Sequence, residues 1–428
     1  MTNAENLYEE IVSVGTAEVN TIAAEVTRAV EENVSLAEIE FLLRRLILKP
    51  CVRIYEILIR RLGKGYRGSK VVCECGGCAQ FKDYRKTWLD TIVGSLRLEK
   101  AYYYCGECGS GFYPLDEVLQ VEKGKSLALR RLISLAGIQD SFESASRLLE
   151  ELSGIRVSDN TVQRVAGDTG AEVMDSESAQ DEKLVGHIWS AEDSRRMYIS
   201  VDGTTAPMRG YWKEFKVAAI YGEGGENKRY YTGLQESGEF MLGLRKQALA
   251  KGLGYASKVI ALGDGQPWIW KQFGINFPMA TQVLDFWHLT ENVWKCAHAL
   301  FGEGSKKACR WAEQGKRAAL ERGGTALLAR LQRVRKRRKR KRDQEALDAL
   351  ISYVSENEGR TNYPLYRILG IEIGSGPIEA ACKTVIGCRL KRAGMRWTER
   401  GAEKIAKLRA IHLSGLWDAF WGFTATAA

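Results

Sequence analysis

Three acidic residues, Asp202, Asp264 and Glu379, occupy positions at which a carboxylate could take part in chemistry. Each aspartate ends a short apolar run that is typical of a buried strand, and the glutamate follows the turn Gly-Ser-Gly-Pro at 374–377, where a helix is predicted to begin. A carboxylate at the end of a buried strand is costly to desolvate without a partner. Hard divalent cations are the usual partners of such oxygen ligands. The three acids could therefore build a two-metal site for phosphodiester chemistry.

Each acid also has a purely structural interpretation. If Pro377 is the first helical residue and Gly376 is the cap, Glu379 is favoured by capping and by the helix dipole alone. The two aspartates could simply form turns before glycine. One acid alone does not separate these interpretations, but the three together favour metal binding. Glu372, in the loop before the helix, is the alternative third acid.

The elements that must position these acids are those of an α/β domain. Alternating and apolar patterns predict strands at 197–201, 214–221, 229–234, 258–262 and 281–286, and helices at 240–252, at 267–273, through a basic segment at 289–368, and from about 377 onward. This order resembles the ribonuclease-H-like fold, in which carboxylates meet at the central strands. It assigns the acids to the first strand, the fourth strand and the last helix.

Two C-x-x-C pairs, Cys75 with Cys78 and Cys105 with Cys108, predict one structural zinc ion in a zinc ribbon. Cys73 is an extra thiol that could compete as a ligand. Disulfides are the poorer alternative in a cytoplasmic protein. Because four thiolates fill the coordination sphere, we expect the ion to hold a ribbon that contacts DNA and to take no part in catalysis.

Residues 141–170 predict a helix-turn-helix, with a first helix at 142–152 and a turn at 153–155. The second helix would present Asn160, Gln163 and Arg164, which suit base edges and phosphates. The alternative is an ordinary helical hairpin.

Charge is concentrated in one run, since every residue of 333–342 except Val334 is basic, within a chain of formal net charge +10. Such a run indicates a polyanionic partner or, alternatively, a solvated loop. The sequence lacks a stretch of about 18 apolar residues and the order of a signal peptide. We therefore expect a cytoplasmic protein without a membrane partner.

Composition and pattern together divide the chain into seven predicted segments. These are an N-terminal helical domain at 1–70, a zinc ribbon at 71–120, a helical segment with the helix-turn-helix at 121–195, the first part of the ribonuclease-H-like core at 196–290, a basic helical insertion at 291–370, the last core helices at 371–415 and a tail at 416–428.

Several short motifs carry a resemblance to a known family. They are Gly-Asp-Gly at 263–265 with Trp268 and Trp270, Leu-Asp-Phe-Trp-His at 284–288, the segment 374–383 around Glu379, and the basic segments 389–392 and 395–397. Over roughly residues 70–415, the chain is similar to bacterial insertion-sequence transposases with an Asp-Asp-Glu triad, of the Mutator-like lineage and the Kra type. The resemblance implies Asp202, Asp264 and Glu379 as the triad, and it includes a motif that Asp285 and His288 match.

The implied activity is DNA transposition with two Mg²⁺ or Mn²⁺ ions, and the implied partners are double-stranded DNA and at least one further copy of the chain. We expect the following residues to contact DNA: Asn160, Gln163, Arg164, His288, Lys383, Arg389, Lys391, Arg392, Arg396, Arg335, Lys336, Arg337 and Arg338. His288 could instead be a general base or a structural residue that Asp285 orients. Trp268, Trp270 and Trp397 could stack on an unpaired base or pack in the core. The alternative functions are a structure-specific endonuclease of the same fold and a catalytically silent DNA-binding protein.

Overall fold

The computed structural model describes residues 3–179, 184, 188 and 196–423. The chain divides into two compact units, Met1–Ala166 and Gly167–Ala428, and each contains helices and one β-sheet. The mixed α/β class expected from the sequence is thus confirmed. Most of 180–195, at the end of the predicted segment 121–195, lies outside the described residues, as does 424–428 in the predicted tail.

The N-terminal unit begins with three helices and continues into a four-stranded antiparallel sheet of order β1-β2-β3-β4. Its elements are α1 (Asn3–Glu31), α2 (Leu36–Leu46), α3 (Leu48–Arg61), β1 (Lys70–Val72), β2 (Cys78–Thr91), β3 (Gly94–Cys105), β4 (Gly111–Phe112), α4 (Pro114–Val118), α5 (Leu127–Gln139), α6 (Phe142–Ser153) and α7 (Asp159–Ala179), which continues into the second unit.

Helices α5 and α6 and the start of α7 enclose a small apolar core of Leu129, Ile133, Ala145, Leu149, Val162 and Val165. Helix α6 ends because Gly154 adopts a left-handed conformation with φ 72°, which costs glycine little. The hydroxyl of Ser158 then accepts a hydrogen bond from the amide of Thr161 at 3.2 Å and begins α7. Two helices joined by a turn thus lie within a few residues of the predicted bounds, as both a helix-turn-helix and an ordinary helical hairpin require.

The C-terminal unit is built on a five-stranded sheet of order β7-β6-β5-β8-β9. Strands β5, β6 and β7 pair antiparallel, whereas β5, β8 and β9 pair parallel. The elements of this part are β5 (Arg196–Pro207), β6 (Trp212–Tyr221), β7 (Arg229–Gly233), α8 (Ser237–Ala250), β8 (Lys258–Gly263), α9 (Pro267–Asn276) and β9 (Thr281–Leu284).

Each of the five strands differs from prediction at one or both ends, and the differences at β5 and β9 bear on the candidate site. Strand β5 continues beyond the apolar run to Pro207, because residues 202–207 keep their antiparallel partners on β6. Strand β9 ends at Leu284, because Asp285 begins the following helix as its N-cap. Sequence hydrophobicity marks where a strand is buried on both faces, and a strand that is buried on one face can continue past that point.

A long helical segment follows the sheet and is itself followed by the last helices. These elements are α10 (Phe286–Phe301), α11 (Lys306–Arg337), α12 (Lys341–Glu356), α13 (Tyr363–Ile368), α14 (Gly376–Ala381), a π-helical stretch (Cys382–Gly387), α15 (Cys388–Leu390), α16 (Glu399–Leu413) and α17 (Trp417–Trp421). None of the helices in the described part of the chain combines the length and apolarity that a membrane span requires.

Candidate active site

Asp202 and Asp264 lie at the same end of the five-stranded sheet, where the parallel pairing of its strands β5 and β8 stops. Strands β5 and β8 run parallel, and their last paired residues are Ser200 and Leu262, so each aspartate stands two residues beyond that pair. Burial raises the pKa of the Asp202 carboxyl above its ordinary value, and the negative charge of Asp264 raises it further. The two carboxylates are therefore close enough for their charges to interact.

Neither aspartate forms an ion pair within the described residues. Oδ1 of Asp202 accepts a hydrogen bond from the amide of Gly203 at 2.7 Å. The Asp264 carboxylate accepts from both the amide and the side-chain nitrogen of Gln266, each at 3.0 Å. The turn-forming interpretation of Asp264 is thus realised, but each carboxylate keeps lone pairs for a cation.

Glu379 lies on α14, in the first turn and one position later than the capping interpretation requires. Ser375 is the N-cap, Gly376 is the first helical residue and Glu379 is the fourth. The expectation that Gly376 caps this helix was therefore wrong, because the chain turns one residue earlier. Glu379 is exposed, and its carboxylate has no hydrogen-bond or ion-pair partner in the part of the chain that the structure describes. Glu379 therefore has no capping hydrogen bond, but it keeps the first-turn position that the helix dipole favours.

Cys382 joins the helix that carries Glu379 to Asp202. Its thiol donates a hydrogen bond to Oδ2 of Asp202 at 3.6 Å. Burial raises the pKa of this thiol well above its usual value, and the charges of Asp202 and Glu379 raise it further, so it stays protonated as a donor. Cys382 also begins the π-helical stretch, a distortion that is frequent at functional sites. No sequence signal identified Cys382, since its partner is distant along the chain.

Lys391 and His288 are two basic side chains near Asp202. Lys391 donates to the hydroxyl of Thr204 at 2.6 Å, and Thr204 shares the strand face of Asp202. His288, in the first turn of α10, is near enough for its charge to lower the pKa of Asp202. Its Nδ1 lies 3.6 Å from the carboxylate of Glu291. The structure thus brings His288 and Lys391 to the acids.

Asp285 does not orient the imidazole of His288, as the sequence suggested. Its Oδ1 accepts hydrogen bonds from the backbone amides of Trp287 and His288, at 2.6 and 2.9 Å, which caps α10. Its Oδ2 accepts from Ser375, just before α14. The interaction partners of Asp285 are therefore backbone groups and a loop serine.

The three acids offer hard oxygen ligands that do not form one compact cluster. Within the described residues, the ligand atoms of Asp202, Asp264 and Glu379 do not all lie within 4.8 Å of one another. One ion bound by all three would require that spacing. The hard oxygens of this donor set suit divalent cations such as Mg²⁺ or Mn²⁺.

A second candidate metal centre lies in the N-terminal unit. Cys73, Cys75, Cys105 and Cys108 have sulfur atoms that all lie within 4.8 Å of one another. The Cys73–Cys108 and Cys75–Cys105 sulfur pairs are each 3.7 Å apart. Tetrahedral zinc, about 2.3 Å from each sulfur, would place its ligands about 3.8 Å apart. The pKa of the Cys108 thiol is lowered to about 6, and the hydrogen bond from the hydroxyl of Ser110 is the largest cause. A lower pKa favours the thiolate, which is the form that binds metal.

Cys78, which we expected to be a zinc ligand, lies outside the cysteine cluster, and Cys73 occupies its place there. Ala79 pairs with Cys105 across β2 and β3, so these two residues share a face of the sheet. Cys78 precedes Ala79 and must face the other way. Its own partner on β1 is Val72, which is 81% exposed. The spacing C-x-x-C does not reveal that the strand has already begun at its second cysteine.

The predicted DNA-contacting residues of α7 share one exposed helix face. Asn160, Gln163 and Arg164 are all exposed, and their spacing of three and four residues places them side by side. This is the arrangement that contact with a DNA groove would require.

Within the basic run, the residues divide into exposed and paired ones. Arg335 forms two hydrogen bonds to Asp348, at 2.6 and 2.8 Å, and Arg338 pairs with Asp343 at 3.1 Å. These two arginines hold α11 against α12. Lys336 and Arg337 are exposed, as are Arg333, Lys339, Arg340 and Arg342.

The basic residues after Glu379 also differ in exposure. Lys383, Lys391, Arg392 and Arg396 are exposed. Arg389, which we expected to hold DNA, is fully buried, with its guanidinium 4.9 Å from the ring of Trp397. It cannot reach a phosphate in this conformation, because a guanidinium that packs on a core indole is shielded from solvent.

Two of the three tryptophans considered for base stacking belong to the core. Trp397 is 8% exposed and donates to the carbonyl of Leu390 at 3.2 Å. Trp270 is 6% exposed. Trp268 is half-buried, and its indole donates to Gln266 next to Asp264 at 2.6 Å.

The chain belongs to an uncharacterised protein family, UPF0236, whose family model matches residues 30–419. The match covers both units and includes all three acids and all four clustered cysteines. A comparison with curated proteins gives no match.

Proposed function

We propose that this member of the family UPF0236 is a DNA transposase that cleaves phosphodiester bonds at the ends of a mobile element and joins them to target DNA. The observation that carries the proposal is the placement of Asp202 and Asp264 at the same end of two neighbouring strands. Cys382, just after the helix of Glu379, donates a hydrogen bond to Asp202. Three carboxylates without cationic partners are costly to hold together unless metal ions bind them.

The order of strands supports a ribonuclease-H-like core. Three antiparallel strands are followed by two parallel ones, with the first strand at the centre of the sheet. The first acid is on that central strand, the second follows the neighbouring parallel strand, and the third is on a helix beyond the inserted helices. This arrangement matches the order that the resemblance to Asp-Asp-Glu transposases of the Mutator-like lineage implies.

Two Mg²⁺ or Mn²⁺ ions held by Asp202, Asp264 and Glu379 would supply Lewis-acid activation of the attacking oxygen and stabilise the leaving oxygen. The chain's own residues prepare that site. The thiol of Cys382 fixes one oxygen of Asp202, and Lys391 brings positive charge to the same strand face. Lys383, one turn beyond Glu379 and exposed, can bind a phosphate near the scissile bond.

DNA recognition is assigned to both units. The cysteine cluster would hold one structural zinc ion in a zinc ribbon, and α7 would present Asn160, Gln163 and Arg164 to a groove. The exposed members of the basic run would bind phosphates without sequence preference. Because two element ends must be joined in one reaction, the active complex contains at least two copies of the chain.

The experiment that tests this function is strand transfer on labelled duplexes that carry the ends of the element encoding the chain, with Mg²⁺. We expect cleaved and joined products with the unaltered chain and none with Glu379→Ala, while DNA binding persists. Glu303→Gln, in an exposed turn of the same unit, is the matched control and should keep full activity. Cleavage without joining would instead indicate an endonuclease, and binding without chemistry would indicate a DNA-binding protein.

A further inference from the structure

Asp285 is completely buried, and its carboxylate binds two chain segments that are far apart in sequence. Oδ1 accepts from the amides of Trp287 and His288, whereas Oδ2 accepts from both the amide and the hydroxyl of Ser375. A buried carboxylate is tolerated when donors satisfy it in this way. These four donors make Asp285 a fixed link between the first turn of α10 and the start of α14.

The backbone of Asp285 extends this link to the second acid. Its amide donates to the carbonyl of Gly263 at 2.9 Å, and Gly263 immediately precedes Asp264. The end of β9 is therefore bonded to the end of β8 at the point where the candidate metal ligand leaves the sheet.

On the other side, Ser375 begins the helix of the third acid. The carbonyl of Ser375 accepts hydrogen bonds from the amides of Ile378 and Glu379, at 2.9 and 3.2 Å. Because the amide and hydroxyl of Ser375 are held by Asp285, the first turn of α14 is fixed relative to β9. Hence one residue connects the backbone of Asp264 to that of Glu379.

Two neighbouring contacts support the same junction. The amide of Phe286 donates to the carbonyl of Ile373 at 2.9 Å. Gly374 lies so close to Trp287 that an added Cβ would be 2.7 Å from the indole nitrogen. Three consecutive residues of the loop before α14 thus pack against the first turn of α10.

We propose that Asp285 and Ser375 are positioning residues that set the separation of Asp264 and Glu379, and thereby the metal affinity of the site. This inference rests on the proposed function. Neither residue is expected to touch metal or DNA. Their removal should therefore change the turnover rate and the metal requirement and leave the affinity for DNA unchanged.

The test compares Ser375→Ala with Ser414→Ala under single-turnover cleavage at varied Mg²⁺. Ser414 is a matched control, because its hydroxyl also joins two elements of the same unit, accepting from the amide of Tyr230 at 2.9 Å. We expect Ser375→Ala to lower the single-turnover rate constant about 10- to 100-fold and to raise the half-saturating Mg²⁺ concentration, with the affinity for DNA unchanged. Asp285→Asn should have a larger effect, since an amide nitrogen would then face backbone donors.

If Ser375→Ala matches Ser414→Ala in the single-turnover rate constant and in Mg²⁺ requirement, the positioning role is overturned. A wild-type chain without any DNA chemistry would instead contradict the proposed function. In that case hydrogen exchange decides the positioning role separately. Amides of residues 376–390 should exchange faster in Ser375→Ala than in Ser414→Ala, and equal exchange would overturn the link between Asp285 and α14.

Discussion

The hydroxyl of Tyr353 donates a hydrogen bond of 2.7 Å to the backbone carbonyl of Asp264, so a helix of the inserted segment holds the turn of a candidate metal ligand. The contact requires glycine at the next position, because a Cβ on Gly265 would lie 2.7 Å from the tyrosine ring. Tyr363 and Tyr366 donate in the same way to the carbonyls of Leu284 and Gln282 on β9, at 3.1 and 3.3 Å. The helical segment therefore supports the end of the sheet at which the two aspartates lie.

Removal of the Tyr353 hydroxyl should weaken this support. Tyr353→Phe leaves the Asp264 carbonyl without its donor, and we expect the free energy of unfolding to fall by about 1–2 kcal/mol. Urea denaturation measures the change. Tyr255→Phe, at a tyrosine that is 56% exposed, is the control and should change nothing. Equal stability of the two variants would show that the hydroxyl does not support the turn.

The raised pKa of Asp202 makes a prediction about stability and pH. An acid whose pKa is higher in the folded than in the unfolded chain destabilises the folded state when ionised. The cost is present above the folded-state pKa and disappears as the pH falls below the unfolded value. Asp202→Asn should therefore stabilise the metal-free protein at about pH 8, and the gain should vanish toward about pH 4.

Thermal unfolding in a chelator, at several pH values, tests this expectation. Asp348→Asn provides a control of opposite sign, because the hydrogen bond from Arg335 lowers the pKa of Asp348. That variant should be slightly less stable than the unaltered chain above about pH 5, since exposed ion pairs contribute little. A loss of stability in Asp202→Asn at high pH would contradict the account of a destabilising buried acid.

The cysteine assignment makes a prediction about zinc content. Cys73→Ser removes one of the four clustered thiols, and we expect the purified protein to lose its zinc ion and the N-terminal unit to lose stability. Cys78→Ser should retain about one zinc ion per chain, because that side chain faces away from the cluster. Metal analysis by mass spectrometry distinguishes the two variants. Loss of zinc from Cys78→Ser would overturn the assignment.

The division of the basic run makes a prediction about salt dependence. Lys336→Ala and Arg337→Ala should each reduce the slope of log affinity for DNA against log salt concentration by about 1, as expected for one lost phosphate contact. Arg317→Ala is the control on the same helix, because Arg317 is already paired with Glu321 at 2.8 Å. Fluorescence anisotropy at several salt concentrations measures the slopes. Unchanged slopes in the first two variants would remove the run from the DNA interface.

The sequence predicted the order of elements and the placement of two acids because those features follow local patterns. Strand periodicity located Asp264, and the turn before Pro377 located the start of the Glu379 helix to within one residue. The bounds of α6 and α7 were equally local, since Gly154 ends the first helix and Ser158 begins the second.

The features that were missed depend on contacts between distant residues. Pairing with β6 extends β5 beyond its apolar run, and the direction of Cys78 depends on register with β3. The contact of Cys382 with Asp202 and the ion pair of Arg335 with Asp348 appear only after folding. Likewise, Arg389 is buried by Trp397, although its basic neighbours in sequence are exposed.

The central claim is that Asp202, Asp264 and Glu379 act together on a phosphodiester bond. The most direct test is single-turnover cleavage of an element-end duplex with Mg²⁺ by Asp202→Asn, Asp264→Asn and Glu379→Gln, with Glu303→Gln as the control. We expect each of the three variants to lose at least about a thousandfold in rate, with DNA binding and zinc content intact, because ligands that act as one unit fail together. Wild-type cleavage by any one of the three would contradict the claim that these carboxylates form the active site.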